Sequence, residues 1–146
     1  MWQCGNVGMK VIGKGREGSD TIRLKRLFMN STPSPILELT LEFSLYIIEY
    51  TEELERLKKF NLANQLFKSG TSIGANVSEA QSCESRADFI HKVRVAAKEA
   101  EETKYWLTLC TRAKSYPKPT GIAEKLQIII KILNKIVVTS KRVKAQ

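Results

Sequence analysis

Apolar residues recur along most of the chain in steps that alternate between three and four residues. This spacing keeps each set on one face of a helix. The four sets are Ile36, Thr40, Phe43, Ile47, Tyr50, Leu54 and Leu57; Leu66, Gly70, Ile73, Val77 and Ala80; Phe89, Val93, Ala96, Ala100, Thr103, Leu107 and Cys110; and Ile122, Leu126, Ile129, Leu133 and Ile136. The residues expected to widen the first buried face are Leu37, Leu41, Leu45 and Ile48. No segment alternates as a strand would, so the pattern predicts four amphipathic helices.

Capping residues predict where these helices begin. Thr32-Pro33 and Ser34-Pro35 each offer a capping hydroxyl followed by a proline, and both pairs suit the start of the first helix. Asn61 is expected to cap the second helix after a break at the end of the first. Ser85 followed by Asp88 resembles a capping box that opens the third helix, and the loop KSYPKPTG precedes the fourth. Four long helices joined by short connections predict an all-α, antiparallel up-down-up-down four-helix bundle.

Residues 1–31 differ from the rest of the chain because they carry glycines and basic residues without helical periodicity. This composition predicts a flexible, disordered basic tail ahead of a bundle that spans residues 32–146. The alternative is that translation starts later, for example at Met29, so that the tail is a start-site artefact.

Residues 70–74 read GTSIG, which matches the G-x-S-x-G pattern of a hydrolase nucleophile elbow. An elbow lies on a sharp turn between a strand and a helix, whereas this motif lies on a helical stripe. The chain's single histidine, His91, follows Asp88 by three residues on one predicted helix, which does not suit a triad with Ser72. The sequence therefore predicts no catalytic residue and a protein that is not an enzyme.

Gly70 and Gly74 are unusual because a glycine in a helix interior costs about 1 kcal/mol relative to alanine. Close packing between helices would offset this cost. Alanines on the third helix, including Ala96 and Ala100, suggest that the second and third helices approach closely.

A polar stripe runs beside these glycines and comprises Ser69, Ser72, Asn76 and Glu79. Buried polar groups need partners, so the stripe favours a hydrogen-bond network that fixes helix register. A ligand or metal site is the alternative, but the stripe holds one ionisable residue and no histidine at ligand spacing. Together with Gly70 and Gly74, the stripe is interpreted as a structural motif, and no metal or cofactor is expected.

The formal net charge of +9 and the pI near 9.6 favour a polyanionic partner. The candidate phosphate-binding residues lie on the third and fourth helices: Arg86, Lys92, Arg94, Lys131, Lys135, Lys141 and Arg142. No base-reading motif accompanies them, so RNA or DNA binding is expected to have low sequence specificity. The alternative is a protein–protein adaptor or scaffold with no nucleic-acid role.

The first predicted helix is acidic and the fourth is basic. The acidic residues are Glu38, Glu42, Glu49, Glu52, Glu53 and Glu55, and the basic ones are Lys125, Lys131, Lys135, Lys141 and Arg142. These helices are neighbours in a four-helix bundle, so the charges could pair within one chain. Alternatively, they could meet between subunits of a head-to-tail ring.

The cysteines and the hydropathy of the chain bear on its compartment. Cys4, Cys83 and Cys110 are widely spaced and include no C-x-x-C pair, which is typical of a reduced, cytoplasmic protein. The most apolar stretch, residues 128–138, is interrupted by lysines and is shorter than the roughly 20 residues that cross a bilayer. We expect no membrane association.

The runs SGTSIGANVSEA and SRADFIHKVRVAAKEAEETKYWL resemble a bacterial family of four-helix-bundle proteins named for intervening sequences of 23S ribosomal RNA genes. The resemblance covers about residues 35–140. Matching positions are Ser69, Ser72, Ile73, Ala75, Asn76, Glu79, Ala80, Phe89, Ala96, Lys98, Glu99, Glu102, Thr103, Tyr105 and Trp106.

This resemblance implies self-assembly into a homopentameric barrel. The chain is also distantly similar to the accessory protein of diversity-generating retroelements, which binds nucleic acid and a reverse transcriptase through its basic barrel surface. By that analogy, possible partners are a second copy of the chain, RNA or DNA, and a protein such as a reverse transcriptase.

Overall fold

The computed structural model describes residues 34–142, which form four helices. They are α1 (Pro35–Arg56), α2 (Phe60–Gln81), α3 (Arg86–Arg112) and α4 (Ile122–Arg142). Each helix packs on the next one, and α4 also contacts α1, although this seam is the least extensive of the four. No strand occurs between residues 34 and 142, so the predicted all-α four-helix bundle is confirmed. The predicted tail, residues 1–31, lies outside the described residues.

The predicted stripes form the core. The largest side chains in it are Phe43, Ile47, Leu54, Leu66, Ile73, Leu107, Leu126, Ile129 and Leu133, each at most 2 % exposed. Two stripe residues depart from the prediction. Leu57 is 49 % exposed because it follows the last residue of α1, and Phe89 is only partly buried because it lies in the first turn of α3.

The helix starts agree with the prediction at one cap and differ at another. Ser85 is the N-cap of α3, and its hydroxyl accepts a hydrogen bond from the backbone N–H of Asp88 at 3.1 Å. Pro35 is the first residue of α1, which agrees with the second of the two predicted starts, but the Ser34 hydroxyl makes no capping bond. The backbone oxygen of Ser34 instead accepts from the N–H groups of Leu37 and Glu38.

The turn between α1 and α2 lies earlier than the sequence predicted. α2 begins at Phe60, so the prediction of Asn61 as its cap is wrong. Lys58 adopts a φ of 58°, and the N–H of Lys59 donates to the oxygen of Leu54 at 2.8 Å. This bond is part of a Schellman motif, in which the left-handed position usually holds glycine. A lysine at that position gives no sequence signal for the end of the helix.

Side chains from α1 and the turn after it hold the loop between α3 and α4. The Tyr50 hydroxyl donates to the oxygen of Pro117 at 2.6 Å, and burial raises the pKa of Tyr50 well above its usual value. The Lys59 ammonium lies 4.9 Å from the ring centroid of Tyr116. The Lys118 ammonium donates to the last carbonyls of α3. The loop therefore has a fixed position at one end of the bundle.

Candidate nucleic-acid interface

Gly70 and Gly74 face α1, so the prediction that they mark a close approach of α2 to α3 is wrong. A Cβ at Gly70 would lie 2.8 Å from two side-chain carbons of Ile47. At Gly74 it would lie 3.2 Å from the Ser44 hydroxyl and 3.3 Å from the Thr40 oxygen. The contact at Gly70 is too short for an alanine unless Ile47 moves, and the contact at Gly74 is tight, so the backbone of α2 lies close to α1.

The polar stripe beside the glycines faces α3. The hydroxyls of buried Thr103 and Ser69 are hydrogen-bonded at 3.0 Å, and the Thr103 hydroxyl donates to the backbone oxygen of Glu99 at 2.7 Å. Further along the stripe, the Asn76 side-chain amide donates to the backbone oxygen of Ser72, one turn earlier in the same helix, at 2.8 Å. The stripe thus lies partly in a helix–helix interface.

Two of the seven candidate cations make contacts within the chain. Lys92 forms an ion pair with Glu79 of the polar stripe, and this hydrogen bond raises the pKa of the lysine. Arg86 donates from its guanidinium to the backbone oxygen of Ser140, in the last turn of α4. Both side chains hold α3 against its neighbours, so they are less accessible to a phosphate than free surface cations.

The other five candidate cations are exposed. They are Arg94, Lys131, Lys135, Lys141 and Arg142. Within residues 34–142 none of them has a hydrogen bond or an ion pair. Lys141 and Arg142 lie at the end of the bundle where α3 begins, because Arg86 joins that start to Ser140. These ammonium and guanidinium groups are available to an anion.

Few acidic side chains of α1 form ion pairs with basic side chains of α4 in the same chain. Lys125 lies 3.1 Å from Glu42 and 4.6 Å from the ring centroid of Tyr46. The hydrogen bond from Lys125 lowers the pKa of Glu42. In the part of the chain that the structure describes, this is the sole ion pair between α1 and α4. Most of the acidic surface of α1 therefore has no intramolecular partner.

Leu41 and Leu45 lie on the outer surface of α1, which contradicts the sequence prediction. They were expected to widen the buried face of α1, yet each is 55 % exposed. On α2, Phe60 and Phe67 are also exposed. Large apolar side chains on an outer face are the signal for an interface, and the leucines could have been recognised by their spacing from the core stripe.

The residues of the rejected catalytic triad have separate environments. Ser72 is partly buried on α2, whereas Asp88 and His91 are exposed on α3. The Asp88 carboxylate accepts from the Ser85 hydroxyl in the cap of α3. Among the described residues, no cluster of His, Cys, Asp and Glu has the arrangement of a metal site, and no helix is sufficiently long and apolar to cross a bilayer.

Comparisons with known proteins agree with this architecture. The family model described as 23S rRNA-intervening sequence protein matches residues 34–136. A crystal structure of a protein of unknown function from the S23 ribosomal protein family of Bacteroides thetaiotaomicron is 39 % identical. It aligns over 70 % of this chain and 97 % of that one, with a TM-score of 0.67. No curated protein matches. The resemblance inferred from the sequence is confirmed.

Proposed function

The chain belongs to the family of 23S rRNA-intervening sequence proteins, and from this premise we propose that it is a cytoplasmic, non-enzymatic protein that binds RNA or DNA as a homo-oligomer. Fold and family membership alone do not define a partner. The observation that carries the proposal is the set of exposed cations on α3 and α4 that have no partner inside the chain.

Each of these cations can neutralise a backbone phosphate and release a condensed counterion. Lys141 and Arg142 are the strongest candidates, because they lie together at the end of the bundle where α3 begins, and Arg94 follows about two turns further along α3. Self-assembly would multiply such contacts by placing several copies of the surface on one strand. Phosphate contacts carry no sequence information, so specificity is expected to be low.

The test is a binding titration with a fluorescein-labelled single-stranded RNA and a duplex DNA of equal length. The logarithm of the binding constant should fall steeply and linearly with the logarithm of salt concentration. The variant Lys141→Gln/Arg142→Gln should weaken binding to both ligands and reduce the salt slope. The control variant Lys68→Gln/Lys114→Gln removes the same charge from exposed positions elsewhere and should have a smaller effect.

The result that would refute the proposal is absence of binding to either nucleic acid at low salt. Equal losses of affinity in the test and control variants would instead show that net charge alone drives binding, without a defined surface.

A protein–protein adaptor is the second candidate, and the exposed apolar residues of α1 and α2 favour it. Leu41, Leu45 and Phe67 lie on the outside of the bundle, where a partner protein could cover them. If the chain copurifies with a protein, such as a reverse transcriptase, and binds no nucleic acid at low salt, the adaptor function would replace the first proposal.

A further inference from the structure

The outer face of α1 combines apolar and acidic residues. Leu41 and Leu45 are exposed, and Ile48 is partly buried one turn further along. Glu49 and Glu52 continue this face toward the end of the helix, and both are exposed. Neither carboxylate takes part in an ion pair within residues 34–142.

α2 extends this face with residues that are almost free of charge. Its only charged residues are Lys68 and Glu79, and Glu79 is paired with Lys92 of α3. Phe67 is exposed and Thr71 is partly buried beside it. Because Gly70 and Gly74 allow a close approach to α1, the two helices present one continuous surface, which we call the α1–α2 face. Aromatic enrichment and few charges are typical of interface cores.

α4 carries a complementary ridge. Ile128, Lys131, Lys135 and Val138 follow one another in steps of three, four and three residues, and all four are exposed. This spacing places them on one side of the helix, along about 15 Å. Ile128 is 51 % and Val138 is 48 % exposed. The α4 ridge therefore has apolar ends and a basic centre.

Within one chain the α4 ridge does not reach the acids of α1. The ion pair between α1 and α4 uses Lys125, which lies on the side of α4 nearer to α1, and Glu42. Lys131 and Lys135 have no such partner in the described part of the chain. Charges that complement each other but do not meet in one molecule can meet between molecules.

We propose that the α4 ridge of one copy docks on the α1–α2 face of a second copy. Lys131 and Lys135 then pair with Glu49 and Glu52, while one apolar end of the ridge covers the exposed leucines, which both precede the two glutamates on α1. The two surfaces are different, so the contact is heterologous and leads to a ring or a filament. The inference rests on the self-assembly included in the proposed function and supplies its interface.

This interface divides the candidate cations into two groups. Lys131 and Lys135 serve assembly and are covered in the oligomer. Arg94, Lys141 and Arg142 remain for phosphate. Loss of nucleic-acid binding on mutation of Lys131 and Lys135 would then be a consequence of lost assembly.

Charge reversal and its rescue test the interface, with mass measured by size-exclusion chromatography and light scattering, and folding checked by circular dichroism. Lys131→Glu/Lys135→Glu and Glu49→Lys/Glu52→Lys should each give monomers at a concentration where the native chain is assembled. The variant with all four substitutions places opposite charges together again and should recover the native mass. Lys98→Glu/Lys114→Glu has the same net change as the first variant, at exposed positions outside both surfaces, and should stay assembled.

The results that overturn the inference are a monomeric native chain, assembly that survives both reversals, and a fourfold variant that stays monomeric. RNA binding by the same variants separates this inference from the proposed function. The assembled fourfold variant should bind RNA as the native chain does, because its phosphate-binding residues are intact. A native monomer that binds RNA would remove the interface and leave nucleic-acid binding in place.

Discussion

Replacing Gly70 by alanine tests the close approach of α1 and α2. The added Cβ would lie 2.8 Å from two carbons of the Ile47 side chain, which is fully buried. Overpacking of this kind costs about 1–3 kcal/mol. Alanine recovers about 1 kcal/mol of helix propensity. Gly70→Ala should therefore destabilise the bundle by about 1 kcal/mol, taking the two magnitudes together.

The neighbour that causes the clash can be removed separately. Ile47→Ala deletes the carbons that the new Cβ would meet, at a cost of about 2–5 kcal/mol. In this background Gly70→Ala should become stabilising by about 1 kcal/mol, because only the propensity gain is left. Ile47→Val keeps both branch carbons on Cβ and should give little relief. The change of sign identifies the clash as the cause.

Urea denaturation followed by circular dichroism measures these free energies, at one protein concentration because assembly would contribute to stability. A matched control compares Lys68→Ala with Lys68→Gly, which reports helix propensity at an exposed position of the same helix. If Gly70→Ala stabilises the native chain by the full difference seen at Lys68, then α1 and α2 are not closely packed and the explanation of the glycines fails.

Three further predictions concern single contacts. Lys58→Gly should raise the free energy of unfolding by about 1 kcal/mol, because lysine has a strained, left-handed backbone at this position; an unchanged urea midpoint would contradict this. Thr103→Val should cost about 1–3 kcal/mol, since it leaves the buried Ser69 hydroxyl without its partner, whereas Ser69→Ala should cost less because Thr103 keeps the Glu99 carbonyl. Thermal melts that rank the two variants in the opposite order would refute this. The pKa of Glu42 is lowered by Lys125, so the stability from this pair is present above the ordinary carboxyl pKa and is lost as the pH falls through the lowered value. NMR titration of Lys125→Gln should show the Glu42 pKa returning upward, and an unmoved value would exclude the pair in solution.

The fold was largely predictable because a four-helix bundle buries one continuous stripe per helix. The stripes from Ile36 to Leu54 and from Ile122 to Ile136 needed no tertiary information. The end of α1 could not be located, because Lys58 occupies a position where glycine is the usual signal. The glycines were assigned to the wrong neighbour, because each bundle helix touches two others and spacing does not say which.

The candidate interface was less predictable, because it depends on contacts that are distant in sequence. Arg86 and Ser140 are 54 residues apart, and Lys92 and Glu79 are 13 apart on different helices. No local sequence pattern shows that the Arg86 and Lys92 side chains already have partners within the chain. Leu41 was mispredicted for a related reason. Its apolar side chain suggested burial, but the outer surface of this chain also carries apolar residues.

The hydrogen bond from Tyr50 to Pro117 has a consequence for the order of folding. It connects residues 67 positions apart, whereas the turns after α1 and α2 span only residues 57–59 and 82–85. Closing a long segment loses more chain entropy than closing a short one, so local hairpins form first. We expect α1, α2 and α3 to associate early and this bond to form when the last loop docks. Tyr50→Phe should then accelerate unfolding and leave the refolding rate nearly unchanged.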